Sequence, residues 1–257
     1  NDAFTNCHRN HASMVALAEL LPAFAGLQLT KELRHLGEVL DDPKRPLALI
    51  ISGAKMETKV PIIEQFLDTG DDILVGGCIA NTFIAAKGLG MGTSKFEQEF
   101  AEKAQSLVLE SEKPDHANIH IPLDVVVASK PEAGVKTNIV SIDGIPADMA
   151  VFDIGTMTVE RYRQVLSKAK MIVWNGPMGL FEVEEFAEGS KKIAEAVSEA
   201  ARNGATTIIG GGDTIDFHTR YGLSLDAYSF VSTGGGAMLE YIAGKPLPAL
   251  KPLEVVM

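Results

Sequence analysis

Thr206-Thr207-Ile208-Ile209-Gly210-Gly211-Gly212-Asp213-Thr214 is a short β-branched run that stops at three glycines. Met171–Gly179 (MIVWNGPMG) and Ser229–Ala237 (SFVSTGGGA) behave in the same way. Short apolar runs bounded by glycine read as buried strands of a parallel sheet. Glycine at the carboxyl end of such a strand lets backbone N–H groups approach a ligand closely, and ligands of open α/β sheets bind at that edge. Three such ends, one of them closing in Asp-Thr, read as a phosphate and metal cradle.

The same alternation extends upstream. LALIIS (47–52) precedes a helical stretch at 58–68, and DILVGG (72–77) precedes one at 80–87. A helix is expected over 96–110 before NIHIPLDVVVA (118–128). AVFDI (150–154) leads to a helix at 159–169, MIVWNG to one at 186–203, TTIIGG to one at 216–221 and SFVST to one at 238–243. Nearer the start, 12–21 reads as helical, and leucines at 29, 33, 36 and 40 put one apolar face on a helix over 29–40. Strand–helix alternation predicts right-handed βαβ units. The expected fold class is therefore α/β, a three-layer αβα arrangement whose Rossmann-like parallel sheet carries helices on both faces. Residues 128–148 have weaker periodicity and read as a small antiparallel excursion.

The chain has 257 residues, 46% hydrophobic and 22% charged, with a net charge of −11. That size supports one large core. The acidic balance, with no long basic stripe, argues against nucleic acid as a partner. No apolar stretch reaches membrane-spanning length, which argues against a membrane partner. Cys7 and Cys78 are far apart and form no CxxC, so a reduced, cytoplasmic setting is expected. The opening at Asn1, inside a motif already under way, gives the expectation that the sequence is a piece of a longer chain.

Several stretches carry candidate chemistry, each with an ordinary structural alternative. In GGGDT, the N–H groups of a helix start would hold phosphate oxygens. Asp213 is a candidate ligand for Mg2+, which takes one or two carboxylates plus phosphate oxygens; an Asp cap after a tight turn is the alternative. Gly234-Gly235-Gly236 reads as a second anion site at a helix start, because three consecutive glycines are costly in entropy unless the backbone must approach something. Trp174-Asn175-Gly176-Pro177 is a rigid turn, and Glu182 beyond it is placed to accept from ribose hydroxyls or to complement a helix dipole. Lys55 and Lys59 follow the first apolar strand, so both are candidates for one polyphosphate or for a solvated pair. His8-Arg9-Asn10-His11 reads as a cationic patch for a phosphorylated or carboxylated substrate, or as a helix start with exposed histidines. There is no GxxxxGK[ST], which excludes a Walker-type loop, and Gly88–Gly92 follows a helix rather than a strand and reads as a loop.

NDAF…HRNHAS, SGAKMETK, GGCIANTF, VWNGPMGLFE, GGGDT and STGGGA-x-LE together resemble phosphoglycerate kinase, in that family's order and at about its spacing. The resemblance covers essentially the whole chain. It implies residues 1–21 as the tail of an otherwise missing N-terminal 3-phosphoglycerate domain, 22–40 as an interdomain helix, and 41–257 as the nucleotide-binding domain. Its final segment, Leu247 to Met257, is expected to return toward the missing domain and to lack that partner here.

The activity implied is a phosphotransferase with a carboxyl acceptor, moving a phosphoryl group between 1,3-bisphosphoglycerate and ADP, in glycolysis and gluconeogenesis. It needs positioning and charge neutralisation rather than covalent catalysis. By resemblance, Arg9 with His8 and His11 contacts 3-phosphoglycerate, while Lys55 and Lys59 hold nucleotide phosphates and the transferring group. Asp213 ligates Mg2+; Gly211, Gly212 and Thr214 bind phosphates; Asn175, Gly176, Pro177 and Glu182 form the nucleoside side. Gly234, Gly235 and Gly236 stabilise the group in flight. ADP/ATP and the phosphoglycerates are the expected partners, and a monomer is the expected state.

One departure stands out: Asp153-Ile154-Gly155-Thr156-Met157-Thr158 occupies the place of the family's DIGPxT, and losing the proline is expected to loosen that turn. Two readings of activity stay open, a kinase or a nucleotide-binding module inactive in transfer. An NAD-dependent oxidoreductase would require a strand-linked GxGxxG, which is lacking.

Overall fold

The computed structural model describes residues 1–253. Six strands form one parallel sheet: β1 (Leu47–Ile51), β2 (Asp72–Val75), β3 (Asn118–His120), β7 (Met171–Asn175), β8 (Thr206–Gly210) and β9 (Phe230–Ser232). Their spatial order is β3-β2-β1-β7-β8-β9, with every neighbouring pair parallel. Three shorter strands, β4 (Asp124–Ala128), β5 (Asn138–Ser141) and β6 (Ala150–Ile154), make a separate antiparallel sheet in the order β5-β4-β6. The helices are α1 (Ala16–Leu20), α2 (Leu27–Asp41), α3 (Val60–Thr69), α4 (Gly77–Ala86), α5 (Ala101–Ser111), α6 (Thr156–Leu166), α7 (Glu188–Arg202), α8 (Gly212–Arg220) and α9 (Gly236–Ile242).

Strand side chains alternate between two cores, so the sheet is covered on both faces as the sequence implies. Leu47, Leu49 and Ile51 of β1, with Met171 and Val173 of β7, pack with Leu29 and Leu36 of α2, Phe66 of α3 and Met238 of α9. Ala48 and Ile50, with Ile172 and Trp174, pack on the other side with Tyr162 of α6, Ile193 and Val197 of α7 and Phe217 of α8. Every residue of β1 and of β7 is buried. Each such Leu or Ile contributes about 1.5–3 kcal/mol of hydrophobic burial.

NIHIPLDVVVA is not one strand. It breaks at Pro122, leaving β3 on the edge of the large sheet and β4 in the small one. AVFDI, though followed by a helix, pairs antiparallel with β4. The connections 129–137 and 142–149 contain no helix, and a parallel return needs a crossover of a dozen or more residues. Val125 and Val127 of β4 close a small separate core against Ile84 of α4 and Met91. The antiparallel excursion therefore runs from Asp124 to Ile154, wider than the sequence reading.

Several helix starts also move. Only 16–20 of the expected 12–21 helix is helical, and its Val15 cap offers no side-chain acceptor. In contrast, α6 begins at Thr156. Asp124, from β4, accepts the N–H groups of Met157 and Thr158 at 3.0 and 2.8 Å and the Thr158 hydroxyl at 2.7 Å. That external cap holds the DIGTMT turn without the proline, contrary to the expected loosening. Leu247, Ala249 and Leu253 are buried in the main core, and the Ala249 N–H donates to the Cys7 carbonyl at 3.1 Å. The final segment thus has a partner within this chain as far as residue 253; the remainder of Leu247–Met257 lies outside the described residues.

Candidate functional site

Because all six strands of the large sheet run the same way, their carboxyl ends lie along one edge. From β1 the chain moves outward to β2 on one side, and from β7, entered by way of α6, it moves outward to β8 on the other, so the crevice between β1 and β7 is the switch point at which open α/β sheets bind ligands. The junction is tied by three long-range bonds. The Ser52 N–H donates to the Asn175 carbonyl at 2.9 Å, the Ser52 hydroxyl to the Pro177 carbonyl at 2.5 Å, and the Lys59 Nζ to the Asn175 Oδ1.

A cavity of about 360 Å³ opens there. Ser52, Gly53, Gly77, Pro177 and Asp213 line it from the strand ends of the large sheet, and Val125, Val151, Phe152 and Ile154 line it from the small one. Glu182 is exposed and stands in the lining beside Leu180 and Phe181. Pro177 and Glu182 are thus brought together as the sequence implies. The apolar wall of Phe152, Val151 and Leu180 escaped the sequence reading, because β6 looked like one more strand of the large sheet. Asn81 and Lys95, joined by an Asn81 Nδ2 to Lys95 carbonyl bond of 3.0 Å, were missed as well. The polar pair Asn81-Thr82 inside the apolar stretch of α4 was the available signal.

Lys59 caps the start of α3 and is half-buried. Burial pushes its amine down from 10.5 to about 8, with the Asp213 carboxylate opposing the shift. Asp213 sits in the first turn of α8, is exposed, and makes no ion pair within 4.0 Å among the described residues. α8 starts at Gly212, earlier than the sequence suggests, so Gly212, Asp213 and Thr214 carry N–H groups that a helix start leaves without intrahelical acceptors. Gly211, at φ 102°, is the residue that makes the turn; a Cβ there would meet the Asn175 Nδ2 at 2.6 Å.

Other predicted residues serve the scaffold. The Thr214 hydroxyl is fully buried, donates to the Gly210 carbonyl at 3.0 Å and accepts the Gly176 N–H at 2.9 Å, so it is not free for phosphate. Asn175 donates its Nδ2 to the Gly210 carbonyl at 2.8 Å while holding Lys59. Lys55 does not join Lys59: residues 53–59 are not helical, so the four-residue spacing does not align the two amines, and Lys55 remains exposed on the loop.

The second glycine turn is a separate region. Open space lies over Gly235, at φ 50°, whereas a Cβ at Gly234 would lie 2.4 Å from the Phe4 ring. Gly236 faces His8, whose Nε2 would be 3.4 Å from a Cβ there. The Thr5 hydroxyl donates to the Thr233 carbonyl at 3.4 Å, so residues 4–8 lie across the turn. Arg9 Nε reaches His8 Nε2 at 3.4 Å, and Arg9 and His11 are exposed. Glu32 of α2, not singled out in the sequence, is fully buried and accepts the Thr233 N–H at 2.8 Å and the Thr233 hydroxyl at 2.7 Å.

The family model for phosphoglycerate kinase matches residues 1–245. The chain belongs to the phosphoglycerate kinase family. It is 44% identical over 254 residues to a phosphoglycerate kinase of Chloroflexus aurantiacus, covering 99% of this chain and 63% of that relative. With one from Thermosipho africanus it is 44% identical over 251 residues, covering 97% and 62%. Among solved structures, phosphoglycerate kinase from Coxiella burnetii superposes with a TM-score of 0.90 at 37% identity, over 97% of this chain and 63% of that one. The kinase from Pyrococcus horikoshii OT3 gives 0.84 at 32%, over 99% and 63%. The chain thus spans somewhat under two thirds of the length of these relatives.

Proposed function

We propose that the chain works in reversible phosphoryl transfer between 1,3-bisphosphoglycerate and MgADP, giving 3-phosphoglycerate and MgATP in glycolysis and gluconeogenesis. The observation that carries this reading is that Asp213 lines the strand-end cavity close enough to the half-buried Lys59 for its carboxylate to act on that amine, beside helix-start N–H groups without intrahelical acceptors. The reaction asks for charge neutralisation and alignment around a phosphoryl group, and these are the groups that supply them. In this reading the N–H groups of Gly211, Gly212 and Thr214 hold phosphate oxygens, and Lys59 neutralises charge on the transferring group, with Lys55 joining when the loop folds inward. Pro177 and Glu182, on the turn from Asn175 and Gly176, border the nucleoside. Gly235, flanked by Gly234 and Gly236, offers its N–H to the group in flight. His8, Arg9 and His11 meet the phosphoglycerate.

Mg2+ fits this donor set. Among the described residues no cluster of three or more His, Cys, Asp or Glu side chains could cage a metal. One free carboxylate, Asp213, suits an ion that arrives bound to nucleotide phosphates and keeps most of its other oxygens. When bound, Mg2+ neutralises charge developing on the phosphates. We further assign 1–21 to the tail of a phosphoglycerate-binding domain, 22–40 to the interdomain helix and 41–257 to the nucleotide domain. A cytoplasmic monomer accords with the family; no helix among the described residues is long and apolar enough to cross a membrane.

Calorimetric titration with MgADP tests the reading. Wild type should bind, and Asp213→Ala should bind about tenfold more weakly or worse. Equal affinities for the two would overturn the assignment of Asp213, and a folded wild type that binds no MgADP would overturn the reading itself. A coupled assay on the same sample separates transfer from binding alone.

A further inference from the structure

Asp153 opens the stretch in which this chain departs from its family's pattern, and the proposed reaction gives its side chain no part. The residue is 2% exposed, lines the cavity, and has no cationic partner within 4.0 Å among the described residues. Its carboxyl has three attachments. Oδ2 accepts the Gly189 N–H at 2.7 Å, and Oδ1 accepts the Ile154 N–H at 2.8 Å. The third is steric: a Cβ at Gly179 or at Gly189 would lie 2.4 Å from Oδ1.

Gly179 belongs to the turn after β7, and Gly189 to the first turn of α7. The chain between them carries Leu180 and Glu182 to the cavity, and it is folded around one carboxyl at both of its ends. The Leu180 N–H adds a tie to the Phe152 carbonyl at 2.8 Å. Both glycines therefore have a packing reason to be glycine, since the carboxyl occupies the space of their missing side chains. The last residues of β6 act as the template against which that segment is set.

We propose that Asp153 is a positioning residue for the nucleoside end of the cavity, fixing the Leu180–Glu182 segment at its distance from the Phe152 wall. The inference rests on the nucleotide-binding reading above only in naming the ligand. Burial pushes the carboxyl up to about 8, Glu188 on α7 pushes the same way, and the two N–H donors oppose them. Both carboxyl oxygens accept a backbone N–H, so asparagine keeps the volume but replaces one of the two acceptors by a donor.

The test compares two ligands on the whole chain: MgADP, which reaches the nucleoside end, and Mg-tripolyphosphate, which reaches only the strand-end phosphate groups. Asp153→Ala should weaken MgADP about tenfold while changing tripolyphosphate less than about twofold, and Asp153→Asn, which keeps the volume and one of the two acceptors, should lose less MgADP affinity than Asp153→Ala. Gly179→Ala, which drives a methyl against the Asp153 carboxyl and the Phe186 carbonyl alike, should reproduce the selective loss, and Asp153→Asn carries the test if Asp153→Ala does not fold by circular dichroism. Folded variants that bind MgADP like wild type would overturn the inference, as would equal loss of both ligands. A wild type that binds tripolyphosphate but not MgADP would overturn this inference together with the nucleoside assignment, whereas a wild type that binds MgADP beside an unaffected Asp153→Ala would overturn this one alone.

Discussion

The two triple-glycine turns look alike in sequence and are built in opposite ways. Gly210–Gly212 is held by its own sheet: Thr214 and Asn175 close on the Gly210 carbonyl, and the adjacent strand supplies the Gly176 N–H. Gly234–Gly236 is held by chain from far away. Phe4 fills the space over Gly234, Thr5 reaches the Thr233 carbonyl, and Glu32 grips Thr233 from α2. The first turn is fixed by bonds within and beside the large sheet. The second depends on where α2 and residues 4–8 sit.

Removing the distant support should separate the two most sharply. Phe4→Ala empties a fully buried site and should cost about 3–5 kcal/mol in thermal or urea unfolding, yet leave MgADP affinity within about twofold. A parallel loss of MgADP affinity in folded protein would mean that the turns are not independent. Thr214→Val attacks the other turn, leaving the Gly176 N–H buried without its acceptor. It should cost about 1–3 kcal/mol and weaken MgADP along with stability.

Glu32→Gln keeps an acceptor for Thr233 but removes its charge. Charge-assisted bonds are roughly twice as strong as neutral ones, so about 1 kcal/mol should be lost, with a fall in transfer rate and no change in MgADP affinity. A subtler probe is the proton balance of Lys59. Its amine titrates near 8, so at pH 8 it is half charged, and phosphate binding should draw in up to about 0.5 proton. Titrations in buffers of different ionisation heat measure this, and Lys59→Arg, charged throughout, should abolish the uptake. The sign for stability is also fixed. The unfolded amine binds its proton more tightly, so this group's penalty on the folded state shrinks as pH rises from about 8 toward 10.5. The smallest effect is expected at the DIGTMT turn. Thr156→Pro restores the family residue at the first helical position and should add about 0.5 kcal/mol, because Asp124 already caps that helix.

What the sequence made legible was whatever depends on period and punctuation. The parallel sheet followed from runs such as LALII and MIVWN, whose uninterrupted apolar character suits burial on both faces, and the strand-end glycines pointed to the edge at which the cavity opens. What it hid depends on partners distant along the chain. AVFDI has the same local pattern as MIVWN, and only the lack of a helix in 129–149 makes its pairing antiparallel. Thr214 and Asn175 read as ligand groups because nothing local reveals that each closes on Gly210. Gly234 reads as an anion-binding glycine until Phe4 is found above it, and Glu32 reads as one acid on an amphipathic helix until Thr233 reaches it. Nearness in sequence also counted Lys55 with Lys59, although Lys55 stays exposed on the loop while Lys59 turns inward to Asn175.

The Ser52–Pro177 bond joins residues 125 positions apart, and this has a consequence for how the protein is made. Contacts of that separation must close a long loop before they return any stability. The β1–β7 crevice therefore belongs to the slow, non-local part of folding, whereas hairpin-like pieces such as β4–β5 can form early. On the proposed function, nucleotide cannot recognise an unfinished chain, so MgADP during refolding should raise the final yield by mass action while leaving the early rates unchanged.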